Sequence, residues 1–384
     1  MASLGPNEPL IGVPGSRARL DTPALCLDLD AFERNIAAMA ALCRDRGVAL
    51  RPHAKTHKSL KIAAAQIAAG AVGVCCATIG EAEVMVRGGI KGVHVTSPQV
   101  TASKIARVIA LAGSPHAGFT VVVDDPENLA ALDGAARAAG IVLDILVDYA
   151  AGHHRTGAAT EEDVLLLARA AAAAPGLRFR GIQSYSGNLQ HIAERAERVA
   201  KAKARLAILA GLVERLRRDG IPVEIVTGSG TGTHDVDAEA RVFTEMQTGS
   251  YIFMDVDYHR ALKDGRNVPP FETALFVQAA VVSRNGAKIP GGYVTTDAGL
   301  KSFATEGPKP EVLSGAPEGS LYAYMGDEHG KLLLPPGSAV PALGARIELM
   351  TPHCDPTVNL YDAYHVLRGD TLIDIWPVDA RGKR

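Results

Sequence analysis

From about residue 20 to 255 the chain alternates between two patterns. Short apolar, β-branched runs read as strands: VALRPH, VGVCCATI, GVHVTS, FTVVVDD, LDILVDY, FRGIQSYS, VEIVTGSG and VFTEMQTGSY. Between them lie alanine-rich stretches with apolar residues at helical spacing, such as ASKIARVIALAG and RVAKAKARLAILAGLVERLRRDG. Strands that alternate with helices pair in parallel, and a count of eight predicts a (β/α)8 barrel of the TIM type over residues 20–260. An open doubly wound sheet is the alternative. After about residue 265 the long helical patterns stop, and short strands are separated by Gly, Pro and Asp: ALFVQAAVVS, GGYVTTDAG, LYAYMG, KLLLPP, ARIELMTP, YHVLRG and TLIDIWPV. This texture predicts a mostly antiparallel β-domain made of residues 1–19 plus 261–384. The early TPALCLDLDAFERNI segment, a strand and then a helix, fits either domain.

Composition removes several functions. The 384 residues are 47% hydrophobic and carry 40 basic against 42 acidic side chains, a net charge of -2. No basic block stands out, so neither nucleic acid nor an anionic membrane is an expected partner. No apolar run reaches the roughly 18 residues that suggest a membrane span, and the N-terminal stretch lacks the pattern of a signal peptide. The five cysteines, Cys26, Cys43, Cys75, Cys76 and Cys354, do not form metal-type pairs. They suit a reducing cytoplasm.

Against this background ALRPHAKTHKS is unusual, because Arg51, His53, Lys55, His57 and Lys58 follow an apolar strand. Buried cationic groups need an acidic partner or a chemical role. Lys55 falls where the first barrel strand ends, the end at which barrel enzymes gather their catalytic groups. Like charges and partial burial there would lower its pKa and leave it a competent amine nucleophile. At the far end of the barrel, VTGSGTGT with Gly230 and Thr231, and MQTGSY with Gly249, Ser250 and Tyr251, are glycine-rich loops of the kind that cradle phosphate. A lysine together with a phosphate site suggests pyridoxal 5'-phosphate. Arg155 in AGHHRTG and Tyr185 in SYSGNLQH fall at strand ends, where they can meet the cofactor's phenolic oxygen or a substrate carboxylate (Arg155) and its ring nitrogen (Tyr185). His191 is placed to open the next helix. In TPHCDPTVNLYD an extended backbone would turn His353 and Asp355 to one side and Cys354 to the other, and an imidazole with a carboxylate suits a divalent cation such as manganese.

In this order, TPALCLDLDAFERNI, RPHAKTHKS, EAEVMVRGGI, VTGSGTG, EMQTGSYIFMD, DAGLKS, DEHG and HCDPTVNLYD resemble the D-threonine aldolase and D-serine dehydratase-like family of fold type III pyridoxal phosphate enzymes. The resemblance implies a homodimer with Lys55 as the Schiff-base lysine and phosphate contacts from Gly230, Thr231, Gly249 and Ser250. It implies Arg155 and Tyr185 beside the ring and His191 near the substrate hydroxyl. It also implies a divalent metal on His353 and Asp355, with manganese ahead of magnesium, cobalt or zinc. The His-x-Asp-Pro-Thr form resembles the aldolase branch, in which a D-3-hydroxy amino acid is cleaved to glycine and an aldehyde. The alternatives are a D-3-hydroxyaspartate aldolase giving glycine and glyoxylate, and a dehydratase giving a 2-oxo acid and ammonia.

Overall fold

The computed structural model describes residues 4–114, 118–152, 155–263, 270–289 and 292–384. His153 and His154 of the AGHHRTG motif, and Gly291 at the head of one strand run, lie outside them. The chain forms two compact units. One holds Ala37–Lys55, Leu60–Gly249 and Gly382–Arg384, and the other holds Met1–Ile36, Thr56–Ser59 and Ser250–Arg381. The division therefore does not run at residues 20 and 260: the first strand, β1 (Ala24–Asp28), pairs within the second unit, and so do the residues from Ser250 onward.

The first unit is the barrel. Its strands are β2 (Ala49–Leu50), β3 (Val74–Cys76), β4 (Val93–Val95), β5 (Thr120–Val123), β6 (Leu143–Asp148), β7 (Leu177–Ser184), β8 (Ile225–Gly228) and β9 (Glu245–Met246). They pair in parallel in the order β2-β9-β8-β7-β6-β5-β4-β3. The ring closes through a parallel bridge between His53 and Cys75, with Val72 N donating to Leu50 O and Cys75 N to Pro52 O, both at 2.9 Å. A sheet covered on both faces needs continuous apolar strands, and β5 (TVVV) and β6 (LDILVD) are buried throughout.

The helices alternate with these strands: α1 (Leu29–Arg46), α2 (Leu60–Ala68), α3 (Ile79–Arg87), α4 (Ala102–Ala112), α5 (Pro126–Ala138), α6 (Glu161–Ala173), α7 (Arg195–Arg218) and α8 (His234–Ala240). Thr78, Thr101, Asp125 and Thr160 cap α3 to α6, each accepting from a backbone N–H of the first turn.

The second unit contains β1, α9 (Val256–Lys263), α10 (Cys354–Val358) and the strands β10 (Leu275–Ser283), β11 (Tyr293–Thr296), β12 (Glu311–Ser314), β13 (Leu321–Tyr324), β14 (Gly330–Leu333), β15 (Arg346–Met350), β16 (Ala363–Arg368) and β17 (Thr371–Pro377). With β1 the strands form one nine-stranded sheet, antiparallel except where β1 meets β16. Its core gathers Leu20, Ala24, Cys26, Phe276, Leu367, Leu372 and Ile375. Among the described residues no helix is long and apolar enough to cross a membrane.

Candidate active site

The cationic run that begins at Arg51 divides into groups with different roles. Arg51 is not part of a charged cluster awaiting a ligand. It is buried, its guanidinium forms a two-point ion pair with Glu245 at 2.7 Å, and it also donates to Gly92 O. Its charge is thus met by Glu245 rather than by a ligand. His53 contacts Thr96 Oγ1 at 3.2 Å and accepts from the Lys55 backbone N–H at 3.4 Å. Lys55 lies on a single 3-10 turn, Ala54–Thr56, just past the end of β2, and is half-buried. His57 and Lys58 belong to the β unit, where the His57 carbonyl accepts from Tyr364 OH at 2.6 Å and the Lys58 carbonyl from Ala380 N at 2.9 Å.

The other barrel residues collect at the same ends of the strands. Arg155, exposed after β6, lies over the ring of Tyr185, which follows β7, with 5.7 Å from its guanidinium carbon to the ring centre. Two residues the sequence paired only by position are thus stacked. Gly230 and Thr231 follow β8 and run into a 3-10 turn, Thr231–Thr233. Ser186 is buried and donates to Ala151 O at 3.2 Å. His191 does not open a helix. It is exposed in a turn, α7 begins at Arg195 with Glu194 as cap, and Arg198 holds the Ile192 carbonyl. Gly249 stays with the barrel unit, whereas Ser250 and Tyr251 fall in the β unit, where Tyr251 is fully buried with its ring 5.7 Å from that of Phe271.

Beneath these loops the barrel is polar rather than oily. His94 of β4 contacts Thr120 Oγ1 at 2.7 Å and Gln183 Oε1 at 2.9 Å. Gln183 Nε2 donates to Asp148 Oδ1 at 2.9 Å, and Thr156, the neighbour of Arg155, donates to Asp148 Oδ2 at 3.0 Å. Burial pushes His94 down to about 4 and Asp148 up to about 6, although the hydrogen bonds from Gln183 and Thr156 pull Asp148 the other way. Ser184 Oγ and Thr248 Oγ1, at the ends of β7 and β9, are fully buried with no hydrogen-bond partner among the described residues. Buried hydroxyls are normally satisfied. Two unsatisfied ones beside a glycine loop fit a ligand with several acceptor oxygens, as a phosphorylated cofactor has.

In the β unit the HCDPT stretch is not extended. It is the short helix α10, with His353 as its N-cap residue and Asp355 in its first turn. Proline is tolerated there because a first-turn N–H has no helical partner to lose. The sidedness expected from an extended chain survives for another reason: Cys354 is fully buried, while His353 and Asp355 are half-buried. Asp255, also buried, accepts from Tyr258 N and from Cys354 N, both at 2.9 Å, and so ties α9 to α10. Burial and the neighbouring Asp255 carboxylate hold the Cys354 thiol well above its ordinary pKa. His353 Nδ1 lies 3.1 Å from Glu306 Oε1.

His353 and Asp355 are an imidazole–carboxylate pair suited to a divalent ion whose other positions are filled by water or substrate. Among the described residues no group of three or more His, Cys, Asp or Glu could hold a metal alone. The sequence had missed Asp148, Gln183, Gln190, Ser184, Thr248, Asp255 and Glu306. Asp148, Gln183, Gln190, Asp255 and Glu306 act through partners distant in sequence, and Ser184 and Thr248 stand out only by their burial in the folded barrel.

Residues 27–257 match the family described as alanine racemase, N-terminal domain, and residues 274–367 the putative serine dehydratase domain. A D-threonine aldolase from Arthrobacter sp is 41% identical over 377 residues, covering 98% of this chain and 95% of the relative. A 3-hydroxy-D-aspartate aldolase from Paracoccus denitrificans (strain Pd 1222) is 38% identical over 378 residues, covering 97% of this chain and 95% of the relative. The crystal structure of D-threonine aldolase from Filomicrobium marinum superposes with a TM-score of 0.90 at 42% identity, covering 95% of this chain and 97% of that one. The same two matches, over the barrel and over the β unit, account for both halves of the fold. The chain therefore belongs to the D-threonine aldolase and D-serine dehydratase-like family, lyases built on the alanine racemase-type fold.

Proposed function

We propose that this lyase cleaves D-3-hydroxy amino acids of the D-threonine type to glycine and an aldehyde, using pyridoxal 5'-phosphate and a divalent metal, manganese first. One observation carries the reading: Lys55, the Arg155–Tyr185 stack and the Gly230–Thr233 turn all follow C-terminal strand ends of one closed barrel. When bound, the cofactor supplies an aldehyde that captures amines and a ring that takes up an electron pair from Cα, and the metal supplies Lewis acidity toward an oxygen.

The chain's own residues then divide the work. Lys55 Nζ anchors the cofactor. Gly230, Thr231, Gly249 and Ser250 hold its phosphate, with Tyr251 the next cofactor-binding residue of the second loop. Arg155 and Tyr185 bind and orient its ring. Tyr185, an uncharged partner, leaves the ring nitrogen without a proton. His353 and Asp355 hold the metal. His191 removes the proton from the substrate 3-hydroxyl oxygen. The Cα–Cβ bond breaks as the C–O bond becomes a carbonyl, the aldehyde leaves, and Cα gains a proton to give glycine. The reading also carries a homodimer and a cytoplasmic setting, the latter in keeping with five buried cysteines that form no disulfide.

The test is product analysis by NMR after adding D-threonine with manganese, then with chelator. Glycine plus acetaldehyde, lost on chelation, is expected. 2-Oxobutanoate plus ammonia would replace this reading with a dehydratase. With no product from D-threonine, glycine plus glyoxylate from D-3-hydroxyaspartate would change the substrate and keep the reaction.

A further inference from the structure

The loops carrying Tyr185 and Gly230 are joined by one fully buried side chain, Gln190. Its Oε1 accepts from Gly232 N at 2.9 Å. Its Nε2 donates to Ser186 O and to Thr233 Oγ1, both at 3.1 Å, so both amide hydrogens are used. The fit is close on the glycine side as well. A Cβ on Gly230 would strike the Gln190 carboxamide, and one on Gly232 would strike the Gln190 backbone carbonyl. Behind the loop, Thr233 Oγ1 donates to Asp237 Oδ2 at 2.5 Å, and Asp237 Oδ1 accepts from the buried Arg205 at 2.6 Å.

A glycine-rich loop has much backbone freedom to lose when it closes on a ligand. A residue that fixes the loop beforehand removes that cost from binding. We infer that Gln190 is a positioning residue for the cofactor phosphate: it holds the Gly230–Thr233 turn in its binding shape and anchors it to Ser186. The inference rests on the pyridoxal phosphate reading and deepens it. The Gln190 carboxamide is engaged by Ser186, Gly232 and Thr233.

Two ligands separate the phosphate from the rest of the cofactor. Pyridoxamine 5'-phosphate carries the phosphate but no aldehyde, and so cannot bond to Lys55. Pyridoxal carries the aldehyde and no phosphate. Calorimetry on the full-length apoenzyme would compare wild type with Gln190→Leu, Gln190→Glu and Thr233→Val, with the apoenzyme melting temperature measured alongside. The expected result is at least a tenfold loss of pyridoxamine phosphate affinity in both Gln190 variants and a smaller loss in Thr233→Val. Thr233→Val should add little in the Gln190→Leu background, because both act on one turn. Pyridoxal should bind all variants within twofold of wild type. The inference is overturned if folded Gln190 variants keep pyridoxamine phosphate affinity within twofold, or if pyridoxal binding falls equally, the mark of general damage. If neither Gln190 variant folds, Thr233→Val decides by the same comparison of the two ligands. A wild type that binds neither pyridoxal phosphate nor pyridoxamine phosphate would instead sink the cofactor reading itself.

Discussion

Arg51 and Lys55 are four residues apart and have separate roles. Arg51 is one of a buried pair, with side chains only 10% exposed for Arg51 and 12% for Glu245. Removing one partner of such a pair leaves an uncompensated charge, so Glu245→Ala should cost about 3–5 kcal/mol in denaturant unfolding. A loss well under 1 kcal/mol would show that water reaches the site. Lys55→Ala should instead leave stability nearly unchanged and remove the visible absorbance of the bound cofactor. Position at a strand end made Lys55 legible in the sequence. It could not separate Arg51 from it, because Glu245 comes 194 residues later. Glu306 was hidden for the same reason. A histidine that ligates a metal usually donates its other ring N–H to a carboxylate, which fixes the tautomer, and loss of that partner typically costs 10–100-fold in affinity. Glu306→Gln should weaken manganese binding by about that much, read by calorimetry, while cofactor absorbance stays. An unchanged affinity would mean that His353 is oriented by its backbone alone.

The elements were legible wherever a local signal was strong. All eight barrel strands follow their apolar runs, and four of the helices, α3 to α6, begin at Thr or Asp caps. The HCDPT stretch misled because prolines at 352 and 356 read as extended chain, although the second of them fits a helix's first turn. The interior of the barrel was not readable at all: His94, Asp148 and Gln183 sit on three different strands and meet only when the sheet curls. Burial shifts His94 and Asp148 in opposite directions, which gives opposite pH slopes. His94 is held near 4, below its ordinary 6.5, so its contribution to stability is present above pH 6.5 and is lost as pH falls toward 4. Asp148 is held near 6, above its ordinary 3.8, so its contribution is present below about pH 4 and is lost as pH rises through 6. Each effect is on the order of 3 kcal/mol, and in the wild type they largely offset. Thermal unfolding from pH 7 to 4.5 should therefore show Asp148→Asn becoming more acid-sensitive than wild type and His94→Gln less so. Parallel curves for all three proteins would contradict the two shifts.

At the scale of the molecule, Lys55 belongs to one compact unit and His353 and Asp355 to the other. Cofactor and metal should therefore be separable. Asp355→Ala, or a chelator, should abolish turnover while the cofactor's absorbance persists; loss of colour on chelation would show that one group holds the other in place. The two textures that announced these units were plain in the sequence, but their borders were not, because membership of β1 is decided by distant partners. Ala24 pairs with Gln278, and Cys26 with His365. That pairing matters while the chain is being made. β1 lies inside its sheet, between β10 and β16, yet those neighbours follow it in the chain by about 250 and 340 residues. At about 5–20 residues per second, its apolar ALCLD segment waits on the order of ten seconds to a minute before either edge is covered. A newborn chain thus exposes a sticky strand through that interval, and the yield of active enzyme should depend on chaperones that shield it.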